Sequence, residues 1–206
     1  MAGSAQPILS ENGVVLRPWR PSDVDAVVDA FADAGIQYWH MRRFDRDEAA
    51  AWIEEWTSRW TAETDASWAI TEPDADEAAG YLGLRGVSLQ SGYGQISYWV
   101  RPRFRRRGLA TAATAAAAAW SLGDLGLHRL EIHHSVRNLA SCGVAQRSGF
   151  AHEGTAVEAL LHSDGWHDMH IHARIADRDA STRRAGRPPM SFPPDDTMNS
   201  PMEEAS

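Results

Sequence analysis

The sequence predicts an α/β domain, with a mixed, mostly antiparallel sheet of six to seven strands flanked by about four helices. Three observations carry that reading. Strand-like and helix-like segments follow one another over residues 13–176 in the order β-α-α-β-β-β-α-β-α-β-β. Three consecutive strand segments separated only by turn-rich stretches form a meander, which pairs antiparallel. Two later helices, each set between strands, are crossover connections, so the pairing is mixed.

After a lead-in over residues 1–12, Gly13 to Trp19 reads as a strand, stopped by two prolines, Pro18 and Pro21. Ser22 or Asp23 is suited to cap the next helix, because a short side-chain oxygen accepts the free amides of a first turn. That helix carries Val24, Val27, Val28 and Phe31 and is expected to end near Gly35. A second helix, roughly Asp47 to Thr61, places Trp52, Trp56 and Trp60 close to one stripe. The stripe suits core packing or an acceptor-pocket wall, and if exposed it would suit a dimer interface. Strands follow at Trp68–Thr71, Gly80–Leu89 and Gln95–Val100, with TEPDADEA and SLQSGYG as turns. The longest helix, about Gly108 to Leu122, is built on alanine, which loses no side-chain entropy and lets a neighbouring backbone come close. His128–Val136 is a strand, Leu139–Ser148 a helix, and Phe150–Gly154 the start of another strand. Val157–His162 joins Trp166–Ile175 through the hairpin turn Ser163-Asp164-Gly165. Residues 177–206 lack apolar periodicity and are expected to form a disordered tail.

Composition excludes several classes of function. A chain of 206 residues, 43% hydrophobic and 23% charged, suits one globular domain and excludes wholesale disorder. The single cysteine, Cys142, excludes a disulfide framework within the chain and fits a reducing compartment. No apolar run of membrane-spanning length and no export signal is visible, so a cytoplasmic protein without membrane contact is expected. The net charge of −8 argues against a nucleic-acid partner and favours a cationic acceptor such as an amine. All 20 basic residues are arginine, which fits a GC-rich genome or an enzyme that carries no acceptor lysine of its own.

Against that acidic background, five arginines fall between Arg101 and Arg107, directly before Gly108-Leu109-Ala110-Thr111 and the long helix. A strand, a glycine and a helix start in that order make a pyrophosphate cradle. The glycine lets the backbone approach a ligand, the first helical amides are free, and dipole and guanidinium groups favour an anion.

The run Ile96-Ser97-Tyr98-Trp99-Val100-Arg101-Pro102, followed by Arg105-x-x-Gly108-x-Ala110, resembles the acetyl-CoA signature of the GNAT acetyltransferase superfamily. Asn138-Leu139-Ala140-Ser141 continuing into Gly149-Phe150-x-x-Glu153-Gly154, and Gly165-Trp166-His167-Asp168, add two further matches. Together they are similar to the RimJ/RimL type of N-acetyltransferase over about residues 12–176. Tyr38-Trp39 and Asp47-Glu48-Ala49 fall where that type has acceptor-side helices. The resemblance implies a splay between the fourth and fifth strands. The backbone of Trp99 and Val100 would pair there with the pantetheine arm of acetyl-CoA. Amides from Arg105, Arg106, Arg107, Gly108, Leu109 and Ala110, with Thr111 beside them, would hold the pyrophosphate. Asn138 would bond the pantetheine, Ser141 would sit near the thioester sulfur, and Trp39 and Tyr98 would lie on the acceptor side. The acceptor amine then attacks the thioester directly, so the protein positions two substrates and manages two protons. Either a monomer or a homodimer is compatible with this reading.

The sequence departs from its relatives where protons are handled. Seven residues after Asn138, where many N-terminal acetyltransferases carry a tyrosine acid, stands Ala145, so Ser141 is the remaining hydroxyl. Gln95 stands where relatives often carry glutamate, and an amide takes no proton near neutral pH. His133, five residues before Asn138, is the candidate general base, with a water relay as the alternative. Asp168 is suited either to bind an acceptor ammonium or to cap its hairpin. His167, His170 and His172, with His133 nearby, make a metal cluster conceivable, but the chemistry requires none and no metal is expected. Cys142 is expected to be a small buried apolar residue. The function expected is acetyl transfer to a primary amine. The N-terminal α-amine of a protein or peptide comes first, a small-molecule amine such as an antibiotic second, and a non-catalytic acyl-CoA sensor is the different-class alternative.

Overall fold

The computed structural model describes residues 4–11 and 13–177. The expected tail therefore lies outside the described residues from 178 onward. Eight strands form one sheet, β1 (Leu9–Glu11), β2 (Val14–Pro18), β3 (Ala66–Thr71), β4 (Gly80–Ser88), β5 (Tyr93–Val100), β6 (Arg129–Ser135), β7 (Ala151–His162) and β8 (Gly165–Ile175), in the spatial order β1-β2-β3-β4-β5-β6-β8-β7. Five α-helices are described, α1 (Val24–Ala32), α2 (Ala34–His40), α3 (Arg46–Thr61), α4 (Leu109–Leu122) and α5 (Leu139–Arg147). None is long and apolar enough to cross a membrane.

The mixed sheet is as expected, with three differences. The lead-in contains β1, which pairs with β2 through Leu9↔Leu16. The helix expected to end near Gly35 stops earlier, because Asp33 starts a new helix and its carboxylate accepts the Ile36 amide at 2.9 Å. β7 is one strand of 12 residues whose irregularities at 152/154 and 156/160 absorb the break seen in the sequence. The capping role expected of Asp23 is also corrected. Its carboxylate accepts the Arg20 amide and both terminal nitrogens of buried Arg17, at 2.7 and 2.8 Å.

Each face of the sheet has its own core. On one face, Leu82, Leu84, Ile96, Leu130 and Ile132 pack against Ala113, Ala116 and Ala117 of α4. The small alanines allow the close approach that the sequence anticipates. On the other face, Phe31, Trp52, Trp56, Tyr81 and Trp99 pack together beneath α1 and α3. Trp52, Trp56 and Trp60 are all buried, so the stripe is core and offers no exposed dimer face. α3 begins in a capping box, with Asp45 accepting from the Glu48 amide and Glu48 from the Asp45 amide.

One irregularity of the sheet positions everything that follows. Among the described strands β5 and β6 form the one parallel pair, and they pair only through Tyr93↔Arg129, Gly94↔Leu130 and Gln95↔Glu131. Beyond Gln95 the two strands part while β5 stays fully registered with β4 as far as Val100. Glycine is required on the β4 side, because a Cβ at Gly80 would stand 2.4 Å from the Trp99 carbonyl oxygen.

Candidate active site

The gap between β5 and β6 opens into a cavity of about 500 Å³. Its walls come from the end of β5, the start of α4, one face of α5 and the helix α2. A strand edge released from its neighbour in this way can receive an extended ligand as if it were another strand.

At one end, Gly108 adopts φ 79° and leads into α4. The first intrahelical bond there runs from the Ala112 amide to the Gly108 carbonyl at 3.0 Å. The amides of Leu109, Ala110 and Thr111 precede it without an intrahelical acceptor, and all three residues line the cavity. Arg105, Arg106 and Arg147 line the cavity as well. Arg105 is oriented by Asp33, its Nη2 donating to the carboxylate at 2.6 Å while its Nε donates to the Val100 carbonyl at 3.1 Å. The Arg105 guanidinium in turn holds the Asp33 carboxyl below its ordinary range. Amides, a helix N-terminus and guanidinium groups facing one space favour a diphosphate there.

At the other end, the Tyr98 hydroxyl lies 2.8 Å from Ser141 Oγ and also donates to the Ser141 carbonyl at 3.2 Å. Burial pushes the Tyr98 phenol up to about 12, so it remains a proton carrier throughout the neutral range. Asn138 caps α5, its carboxamide oxygen accepting the Ser141 amide at 3.1 Å, and the carboxamide NH2 is the donor it can offer to a ligand. Trp39, Trp99 and Val100 contribute the remaining expected wall. His40, also lining the cavity, is pushed down to about 4 by burial and is therefore an uncharged imidazole at neutral pH. α2 is tied across to the β7–β8 hairpin, with the Tyr38 hydroxyl donating to Asp164 at 2.8 Å.

Three expected site residues are not brought to this cavity. Arg107 turns to Glu72 and to the Arg103 carbonyl. His133 alternates away from the α5 side of β6, on which its neighbour His134 is buried, and its Nε2 lies 2.7 Å from Glu131. Asp168 accepts the Glu158 amide within the hairpin at 2.8 Å, the capping alternative of the two roles considered for it. Arg101, first of the arginine cluster, is buried in a structural pairing with Asp29, Glu77 and the Ala78 carbonyl. The grouping of His133 with His167, His170 and His172, conceivable from the sequence but not expected to hold a metal, does not form. His167 bonds Ser135 Oγ at 2.8 Å, whereas His134 joins His170, His172 and Cys142.

His40, Ile36 and Arg147 line the cavity and were not anticipated. The sequence did hold a signal for Ile36, since Asp33 is suited to cap a helix and Ile36 and Trp39 stand three apart, but none for His40. Arg147 carries no local signal, and α5 alone turns it inward.

A cavity with an anion cradle at one end, a strand edge along its length and paired hydroxyls at the other suits a long ligand with a diphosphate and a reactive acyl end. The acetyltransferase (GNAT) domain family matches residues 14–151. An uncharacterised N-acetyltransferase of Bacillus subtilis is 21% identical over 175 residues, 84% of this chain and 99% of that protein. The ribosomal-protein-serine acetyltransferase of Escherichia coli is 28% identical over 102 residues, and the match spans 50% of this chain and 57% of that protein. Among solved structures, RimL, the ribosomal L7/L12 α-N-protein acetyltransferase in complex with coenzyme A, superimposes with a TM-score of 0.76 at 22% identity, covering 83% of this chain and 99% of that one.

Proposed function

The chain belongs to the GNAT acetyltransferase family, and from that premise we propose that it transfers acetyl from acetyl-CoA directly to the N-terminal α-amine of a protein or peptide. The observation that carries the donor side is the parting of β5 from β6 beside the free amides of Leu109, Ala110 and Thr111. These residues fit acetyl-CoA. The α4 amides with Arg105 and Arg106 hold the diphosphate, the Trp99–Val100 edge receives the pantetheine arm, and Asn138 offers its NH2. The acceptor class is supported by the activities for which the E. coli ribosomal-protein-serine acetyltransferase and RimL are named.

In this reaction a C–N bond forms between the amine and the acetyl carbon, and the C–S bond of the thioester breaks. Ser141, hydrogen-bonded to Tyr98, supplies the proton that the departing thiolate takes up; the phenol turns from the Ser141 carbonyl to Oγ to replace it and regains its own proton from water in the cavity, which has received one from the amine. The amine loses its proton to water, with neutral His40 as the hydrogen-bond acceptor on the cavity wall. No metal takes part in these steps. Neither a nucleic acid nor a membrane is a partner, in keeping with the charge of −8.

Thiol release from acetyl-CoA tests the proposal, with a panel of short peptides bearing free N-termini, aminoglycosides and polyamines. Release with peptides is the expected result. Release with small amines alone would replace the acceptor class. Silence with acetyl-CoA still bound would overturn catalysis by this chain on all three amine classes.

A further inference from the structure

We propose that His134, Cys142, His170 and His172 form a binding site for one zinc-class divalent ion, which fastens α5 to β6 and β8. The topology converges these residues from three elements. His134 of β6 stands directly opposite His170 of β8, so the two side chains share a face of the sheet. His172, two residues on, lies on that same face, and α5 covers it with Cys142.

One ligand atom from each of the four lies within 4.8 Å of every other. Cys142 Sγ is 3.9 Å from His172 Nε2, close to the separation of about 3.6 Å that two ligands of one tetrahedral zinc adopt. Rotation of the imidazole rings closes what remains.

The polar atoms of the cluster are otherwise unexplained. His134 is 5% exposed and His172 0%, yet His134 Nε2 and His170 Nδ1 are buried without a hydrogen-bond partner. Native interiors rarely leave such atoms unpaired. His134 also carries the arrangement that metal ligands use, with Nδ1 2.8 Å from the Ser135 carbonyl, which fixes the tautomer and leaves the Nε2 lone pair free.

The donor set names the class of ion. Three imidazoles and a thiolate without a carboxylate select zinc over magnesium or calcium. Four protein ligands close the coordination sphere, which marks a structural rather than a hydrolytic site. On binding, the Cys142 thiol gives its proton to solvent and the thiolate bonds the ion. Cys142 follows Ser141 directly, so the ion would hold the first turn of α5 against the sheet where Asn138 and Ser141 line the cavity.

The full chain, stripped with chelator under reducing conditions, is titrated with Co2+. One equivalent is expected to bind, giving the visible bands of four-coordinate cobalt and a near-ultraviolet thiolate-to-cobalt charge-transfer band. Zn2+ then bleaches both. Cys142 is only partly buried, so Cys142→Ser is expected to keep its metal-free circular dichroism and thermal melt while losing the charge-transfer band. His134→Gln and His172→Gln are expected to weaken binding by ~100-fold or more, whereas His133→Gln leaves the titration unchanged. No saturable binding by the wild type would overturn the proposal, as would a charge-transfer band that survives Cys142→Ser or binding that falls with His133→Gln.

Discussion

Replacing Ser141 with alanine separates a proton-handling hydroxyl from a merely structural one. The Tyr98 hydroxyl sits 2.8 Å from Ser141 Oγ and 3.2 Å from the Ser141 carbonyl. When Oγ is removed the phenol keeps the carbonyl as acceptor, so the loss of stability is bounded by one net hydrogen bond, about 0.5–1.5 kcal/mol. For a domain of this size that lowers Tm by roughly 1–6 °C. Loss of a general acid costs far more in rate, about 10²–10⁴-fold, or at least ~2.7 kcal/mol of transition-state stabilisation. The kinetic effect therefore exceeds the structural one. Tyr98→Phe breaks the same relay, so the double variant is expected to be no slower than the slower single variant. Thiol release at saturating acetyl-CoA and amine, followed in a single turnover, measures the chemical step, and a melt measures stability. A kcat within about 3-fold of wild type, or single effects that multiply in the double variant, would refute the relay.

Other expectations follow from the same geometry. At Gly108, φ is 79° and no atom lies within 4 Å of a built Cβ, so Gly108→Ala carries only conformational strain, ~1–2 kcal/mol, and is expected to weaken acetyl-CoA binding by calorimetry. Asn138→Ala removes the α5 cap, a loss of about 1 kcal/mol, and should also weaken acetyl-CoA binding; unchanged affinity would remove Asn138 from the donor site. Asp23→Ala leaves Arg17 buried without its counter-charge and is expected to cost about 3–5 kcal/mol, read as a large fall in Tm. His40 falls from 6.5 to about 4 on folding, so the unfolded chain binds the proton more readily between those values. The stability this confers is present above pH 6.5 and lost as pH falls toward 4, on the order of 3 kcal/mol in all. His40→Gln should flatten that part of the stability–pH profile, and an unchanged profile would count against burial of the neutral ring.

Much of the donor side was readable in one dimension because it is local. The turn before α4, its glycine and the amides behind it are consecutive residues, and strand–glycine–helix order alone makes an anion cradle. The Asn138–Ser141 cap is similarly contained in a single turn. Within the arginine cluster, by contrast, the residues look equivalent in sequence and the fold assigns them different tasks. Arg101 is buried among acids, Arg107 turns to Glu72, and Arg105 and Arg106 reach the cavity. Their partners Asp29, Glu72 and Asp33 are distant in the chain, so no local pattern predicts the division.

The histidines show the same limit more sharply. His133 and His134 are neighbours, and alternation guarantees that they face opposite sides of the sheet, but it does not say which side receives α5. Register decides that by setting His134 against His170 and packing Cys142 over them. The sequence by itself determined the succession of strands and helices from β3 onward and the glycine turn that starts α4, since these depend on propensity, periodicity and adjacent residues. Tertiary structure alone decided where β5 leaves β6, that His40 enters the cavity, and that three histidines and a cysteine converge. Those outcomes depend on pairing register and helix docking between residues far apart in the chain, and no short-range rule encodes them.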